Sequence, residues 1–368
     1  MANADERQLA EWQAAGLYDP THPGAPGRLE LLEWVAEHGV GIDQMVAACA
    51  NSQLNSLVGD LELRAVPTIT LAELATRTGL SVEAVTDLRR ATGFPPGRPD
   101  EPVATEREVA MFELFAVAGA FFSRDELLHF VRVMASALRR IGEAASEMFL
   151  RDVEAPIQEG GRNELALAQA NLAGVQLVDN VTSVFEPMFR LLLQTTTLQT
   201  RRARVGVEDY ATTPLTIGFV DLSGFTARSA AATPEELLEM VVAFETAALD
   251  LVSEQGGRLI KLIGDEVMFT TITAEEGCAV AIGLLRQAEA WGVRARGGLA
   301  HGRVVASGGD VYGTTVNLAS RIADTAVPGE VLVDEGVTLA APGMAFEPAG
   351  RRQLKGFAEP VRLWALEA

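Results

Sequence analysis

Along residues 5–203 apolar side chains recur three and four positions apart, with few β-branched runs, the spacing that lines one face of an α-helix. It predicts helices near residues 6–15, 28–38, 41–58, 71–76, 82–91, 105–118, 124–150 and 163–203. Two stretches interrupt the pattern. Residues 94–102 hold four prolines and Gly97, which exclude a continuing helix, and residues 159–162 read Glu-Gly-Gly-Arg. After Pro214 the period shortens: strands are expected near 215–220, 258–262, 267–271, 296–305, 330–333, 347–353 and 361–366. Helices are expected between them, near 234–254, 274–291, 314–324 and 335–340. The pattern therefore implies an all-α N-terminal domain over residues 1–200, a linker over 201–213 that opens with Arg201, Arg202 and Arg204, and an α+β domain over 214–368.

The 368 residues carry a net charge of −20, which argues against a chain that grips nucleic-acid backbone or an anionic membrane face. A polyanionic ligand would need metal ions. The most apolar stretch, 109–122, is interrupted by Glu113 and too short to span a bilayer, and the N-terminus is polar and acidic rather than basic then apolar. No transmembrane segment is expected, and the location expected is cytoplasmic. The two cysteines, Cys49 and Cys278, stand far apart in apolar helical patterns and read as buried free thiols.

Chemistry gathers in the second half. The run 215–220 ends in Asp221, followed by Leu222, Ser223, Gly224, Phe225 and Thr226. Such a turn offers backbone N–H groups to phosphate oxygens while the carboxylate holds the cation that neutralises them. Asp265 follows Gly264 between two strands and is expected at a hairpin tip. Two strand-end carboxylates suit two-metal phosphoryl chemistry; each taken alone also fits a turn aspartate. Asp310 precedes a helical segment carrying Asn317 and Arg321, four positions apart and so on one face. An amide and a guanidinium projecting together suit a phosphorus with spreading negative charge, and alone also fit a capped, solvated helix. Only Lys261 and Lys355 among the 30 cationic residues are lysines. In a chain that otherwise uses arginine, Lys261 marks a place for a slim, three-donor ammonium.

In this order and at these separations, FVDLSGFT, IKLIGDEVMF, DVYG and VNLASR resemble the class III nucleotidyl cyclase catalytic domain over residues 212–368. The resemblance implies a ferredoxin-like palm, a mixed or antiparallel sheet with flanking helices. It implies Asp221 and Asp265 as ligands of two divalent cations, Mg2+ or Mn2+, with the turn 221–226 on phosphate. Asn317 and Arg321 become transition-state stabilisers, and Lys261 and Asp310 purine readers. Lys355 is either a triphosphate contact or a solvated strand-edge cation. Each active site would be built across a homodimer, metal ligands from one protomer and base readers from its partner. Adenine offers an acceptor at N1 and a donor at N6, which match the Lys261 donor and the Asp310 acceptor, so ATP is the expected substrate of an adenylyl cyclase. The stretch 303–310 departs from the pattern, being short and glycine-rich where mammalian relatives carry a longer arm with a triphosphate-binding arginine. His301 reads as a structural strand histidine rather than a catalytic one.

Residues 71–90 match a helix-turn-helix pattern, with Ala75, Gly79 and Val85 at its key positions, but Arg77, Arg89 and Arg90 are balanced by Glu73, Glu83 and Asp87. DNA binding is not expected. More loosely, the helical half resembles the regulatory domain of the pH-sensing actinobacterial adenylyl cyclases. That likeness implies an autoinhibitory, dimerising module, activation by acid, and a fatty acid held within the helices. Residues 201–210 are expected to switch between helix and loop. As proton sensors, His38, His129, His301 and carboxylates stand level. Two rival readings fit less. A diguanylate-cyclase-like enzyme, suggested by Gly308-Gly-Asp310 and by Gly264-Asp-Glu266, has no place for Asn317 and Arg321; a non-enzymatic DNA-binding regulator would have lost metal or base residues, and none is missing.

Overall fold

The computed structural model of the chain describes residues 6–64, 66–161, 163–209, 211–223 and 232–367. They divide into two compact units, Met1–Arg190 and Leu191–Ala368.

In the first unit the apolar spacing folds as helices α1 (Glu6–Ala14), α2 (Ala25–Glu37), α3 (Ile42–Ala50), α4 (Leu57–Leu63), α5 (Leu71–Thr78), α6 (Val82–Thr92), α7 (Glu106–Ala118), α8 (Arg124–Phe149), α9 (Ala155–Glu159) and α10 (Glu164–Ala203). The division between the units falls inside α10. One core gathers Trp12, Leu31, Leu32, Val35 and Met45 from α1–α3, and a second gathers Leu71, Leu74, Val85, Phe112, Phe115 and Val131 from α5–α8. The single helix expected over residues 41–58 is two helices. Ser52 adopts a left-handed φ of 58°, and the Gln53 amide returns to the Ala48 carbonyl at 2.8 Å, closing α3. Apolar spacing carries no mark of such a turn. It also missed strands β1 (Ile69–Thr70) and β2 (Pro102–Ala104), which are too short to show alternation, and the π-helical turn Leu150–Glu154 that carries α8 into α9.

The helix-turn-helix pattern of residues 71–90 is α5 and α6, joined through Gly79 at φ 70° and capped by the Ser81 hydroxyl, which accepts from the Ala84 amide. Its cations have internal partners. Arg77 forks onto Glu106 at 2.8 and 2.7 Å, Arg89 donates to the carbonyls of Pro95 and Val103, and Arg90 faces Asp87.

The second unit is built on strands β3 (Thr213–Ser223), β4 (Arg258–Ile263), β5 (Glu266–Thr271), β6 (Arg294–Ser307), β7 (Asp310–Tyr312), β8 (Val331–Val333), β9 (Phe346–Arg352) and β10 (Val361–Leu366). The sheet order is β4-β5-β3-β6-β8-β10-β9, with β7 hairpinned onto β6. Only the β6–β8 pairing is parallel among the described strands, so the sheet is mixed, as the α+β expectation required. Helices α11 (Pro234–Glu254) and α12 (Ala274–Ala290) cover one face, where Phe244, Ala248, Cys278 and Leu284 pack on Val220, Val267 and Phe269. Helix α13 (Thr314–Thr325) covers the other, with Ala319, Ile322 and Ala323 on Ile217, Phe219, Met268 and Ala300. A short α14 (Glu335–Ala340) follows β8.

Helix α13 approaches β6 closely at Gly298. A Cβ there would lie 2.2 Å from the Ala323 nitrogen and 2.6 Å from the Ala319 oxygen, so a glycine is what lets this helix seat on the sheet. Cys49 and Cys278 are both free thiols, but only Cys278 is buried as expected and Cys49 is partly exposed; burial pushes Cys278 up to about 12, which leaves it inert. No helix among the described residues is long and apolar enough to cross a membrane.

Candidate active site

Asp221 lies near the end of β3, between β5 and β6, in a strand that continues to Ser223 where a turn was expected, and register decides its neighbours. Across β3–β5 it opposes Glu266, and across β3–β6 it opposes Arg296, so the three side chains form one row on one face of the sheet. The β4–β5 turn adds Asp265, made possible by Gly264 at φ 68°, and the Leu222 amide ties down this tip by donating to the Asp265 carbonyl at 3.1 Å. Arg296 donates from Nε and Nη2 to Asp221 Oδ2, both at 3.0 Å. Even so the Asp221 carboxyl is raised above its ordinary range, because partial burial and the nearby Asp265 carboxylate outweigh that guanidinium. Glu266 is pushed up to about 7 by burial first and by the charges of Asp221 and Asp324 next. This is a concentration of negative charge short of cations.

The Lys261–Asp310 pair forms at the edge of the same sheet. A β-bulge between Leu259 and Lys261 aligns Arg258 with Thr270 and Lys261 with Met268, two positions apart, so both project to one face. The β6–β7 hairpin turns through Gly308 and Gly309, both at positive φ, and delivers Asp310 opposite Ser307. Lys261 Nζ then lies 2.6 Å from Asp310 Oδ2. Burial alone would raise the Asp310 carboxyl, but Lys261 and the Val311 amide hold it below its ordinary value.

Asn317 and Arg321 stand one turn apart on α13; Asn317 is exposed, and Arg321 Nη1 donates to Asp324 Oδ2 at 2.7 Å. Arg296 Nη1 also donates to the Asp324 carbonyl at 3.2 Å, so one guanidinium links the acidic row to this helix. Leu222 is buried in the core with its amide taken by Asp265, so that amide is not free to meet a phosphate as the sequence suggested. Ser223 Oγ is buried with no hydrogen-bond partner among the described residues. Gly224, Phe225 and Thr226 lie outside the described residues. Lys355 is exposed in a turn after β9. The sequence does not point to Arg296 or Asp324, and names Glu266 only within a rival motif; strand register brings Arg296 and Glu266 to Asp221, and α13 brings Asp324 to Arg296.

No group of three or more His, Cys, Asp or Glu side chains gathered as a metal cage occurs among the described residues. A pair of adjacent carboxylates, Asp221 and Asp265, nevertheless fits a hard divalent ion that takes one or two carboxylates and completes its shell with water and substrate phosphates. The mutual repulsion that raises Asp221 is what such an ion would relieve.

Residues 207–368 match the model of the adenylate and guanylate cyclase catalytic domain, and residues 14–201 match that of the adenylate cyclase regulatory domain. Over 96% of this chain and 93% of the relative, an uncharacterized protein of Mycobacterium tuberculosis is 32% identical. A pH-sensitive adenylate cyclase of the same species is 30% identical over 92% of this chain and 87% of its own length. An adenylate cyclase of Streptomyces coelicolor is 31% identical over 77% and 73%. The chain belongs to the class III nucleotide cyclases in which an adenylate cyclase regulatory domain precedes the catalytic domain.

Proposed function

We propose that the chain converts ATP to 3′,5′-cyclic AMP and pyrophosphate, at two equivalent sites shared between the protomers of a homodimer. The observation that carries the substrate choice is the Lys261–Asp310 pair at 2.6 Å, a donor and an acceptor held side by side. Parted by a base, they complement N1 and N6 of adenine; guanine would leave both buried against like groups, at a cost of roughly 1–3 kcal/mol each.

Asp221 and Asp265 hold two divalent cations, Mg2+ or Mn2+, in this reading. When bound, these supply Lewis acidity, lowering the pKa of the ribose 3′-hydroxyl and neutralising phosphate charge. The remaining work falls to the chain itself. Lys261 and Asp310 fix the purine, which orients the ribose 3′-oxygen toward the α-phosphorus for in-line attack. Asn317 and Arg321, from the same protomer as Lys261 and Asp310 and opposite the one that supplies Asp221 and Asp265, donate to the oxygens of the five-coordinate phosphorus as charge spreads over them. The segment 221–226, with the buried hydroxyl of Ser223, would contact the departing pyrophosphate through groups other than the Leu222 amide, and Lys355 would be a further phosphate contact.

Residues 1–200 act as a helical regulatory, autoinhibitory and dimerising domain, 201–213 as the linker that switches, and 214–368 as the catalytic domain. Exposed apolar side chains on α8 and α10, among them Leu138, Ile141, Met148, Val181, Val184 and Phe189, support a dimerising role, since such a face calls for a partner. Acid and a fatty acid are the regulators proposed for this domain, and the cytoplasm its location. The deciding experiment is product chromatography after incubating the purified chain with ATP or GTP and Mn2+ or Mg2+, at acidic and neutral pH, with and without residues 1–200. Cyclic AMP from ATP is expected; no product from ATP in any condition, or faster cyclic GMP formation, overturns the reading.

A further inference from the structure

A half-open cavity of about 140 Å3 lies in the second unit, and neither the acidic row nor the base readers are among the residues that line it. Its wall is the end of α10, the beginning of β3, the turn into β4 and the end of β5. In a chain with 50 acidic and 30 basic residues, no Asp or Glu lines this cavity, while two arginines, Arg204 and Arg258, do. A local excess of positive charge on a protein of net charge −20 points to an anion.

The two arginines differ. Arg204 already has an interaction partner within the chain. Arg258 is half-buried at the first position of β4 and has neither a hydrogen-bond acceptor nor an ion-pair partner among the described residues. Burial lowers its guanidinium pKa, and the field of Asp310 offsets that only in part. A guanidinium has five donors and no acceptor capacity, so leaving it partly desolvated and unpaired is costly unless something else supplies oxygens. The cavity is also lined by Thr200 and Thr270, which carry hydroxyls, and by the apolar residues Leu215 and Ile272.

We propose that this cavity binds a small monocarboxylate. Its two oxygens take the planar fork of Arg258, and its short apolar tail lies against Leu215 and Ile272. One free fork matches a single carboxylate; a phosphate dianion would demand more donors than one unpartnered arginine provides. The volume accommodates only a few heavy atoms. The ligand would bridge the end of α10, where Gln199 Nε2 already donates to the Gly256 carbonyl at 3.0 Å, to the strand that carries Lys261. This site stands independently of the cyclase reading.

The test is isothermal titration of the full chain with sodium propionate at constant ionic strength, with sodium phosphate in parallel and no nucleotide present. Expected are saturable binding of one propionate per chain, affinity at least about tenfold weaker in Arg258→Gln, and an intermediate loss in Arg258→Lys, which keeps charge but not the fork. Melting of both variants reports folding, and removal of an unpaired, half-buried charge is expected to leave it intact. Absence of saturable propionate binding to the native chain, equal affinity in folded Arg258→Gln, or tighter binding of phosphate than of propionate overturns the proposal.

Discussion

Lys261 Nζ and Asp310 Oδ2 meet at 2.6 Å across 49 residues of chain, one from a bulged edge strand and the other from a hairpin of two glycines. Each neutralises its mate, and in the proposed site a base would part them. Lys261→Ala removes the donor to adenine N1 and leaves Asp310 to read N6 alone, with its charge no longer balanced by an ammonium. A charge-assisted hydrogen bond is worth about 1.5–3 kcal/mol, so kcat/KM for ATP is expected to fall roughly 10- to 100-fold, with a much smaller change for GTP. Equal losses on both nucleotides would mean that the pair holds structure and reads no base.

Arg296 is the residue through which the acidic row is held together in the absence of metal. Its two hydrogen bonds end on Asp221 Oδ2, and its charge also lowers the Glu266 pKa. Arg296→Ala is expected to lower the melting temperature of the metal-free chain, because Asp221, Asp265 and Glu266 then repel one another without a nearby cation. The same change removes a competitor for Asp221, so Mn2+ should raise the melting temperature of the variant by more than that of the native chain. Smaller stabilisation of the variant by Mn2+ would show that Arg296 organises the carboxylates for the ion rather than competing with it.

The two halves of the site differed in how far the sequence exposed them. Helix α13 was legible because its period is local, and with it the shared face of Asn317 and Arg321. Asp221, Asp265, Lys261 and Asp310 stood out as strand ends, turns and a rare lysine. Arg296 and Glu266 did not, because they reach Asp221 through the pairing of three strands, and register is a property of the sheet rather than of any one segment. Leu222 shows the converse error. A turn sequence that reads as a row of free amides has one of them consumed by the neighbouring hairpin. In the helical half, the left-handed Ser52 split one expected helix in two, since a single positive φ is invisible to apolar spacing.

If the metal ligands of each site come from one protomer and Asn317 from its partner, two dead variants repair each other. Asp221→Ala and Asn317→Ala chains, each inactive alone, are expected to regain activity when mixed before assembly. Random pairing makes half of the dimers mixed, each with one intact site of two, so the recovered rate is about a quarter of the native rate. Recovery in proportion to dimer exchange, followed by mass photometry and cyclic AMP formation together, is the positive result. No recovery despite exchange would place both residues in the same protomer's site.

His301 gives the catalytic domain an acid-sensitive element of its own. Burial holds its imidazole below the ordinary histidine value of 6.5, an effect that the charge of Glu275 only partly offsets, and its Nδ1 lies 2.9 Å from Thr216 Oγ1. Its amide donates to Asp334 Oδ1, fixing the strand at the foot of α14. Because the folded pKa is depressed, the unfolded chain binds the proton first as pH falls. The stability His301 confers is therefore complete above 6.5 and drains away as pH drops from there through the lower folded value. Replacing it by glutamine, which keeps a hydrogen-bonding group beside Thr216 but no titration, is expected to flatten that loss. Urea unfolding of both proteins from pH about 8 to about 5 checks this: the native chain should lose stability relative to His301→Gln only on the acid side. A native chain that instead gains stability relative to the variant on acidification would mean that His301 is held protonated, and that burial does not govern it.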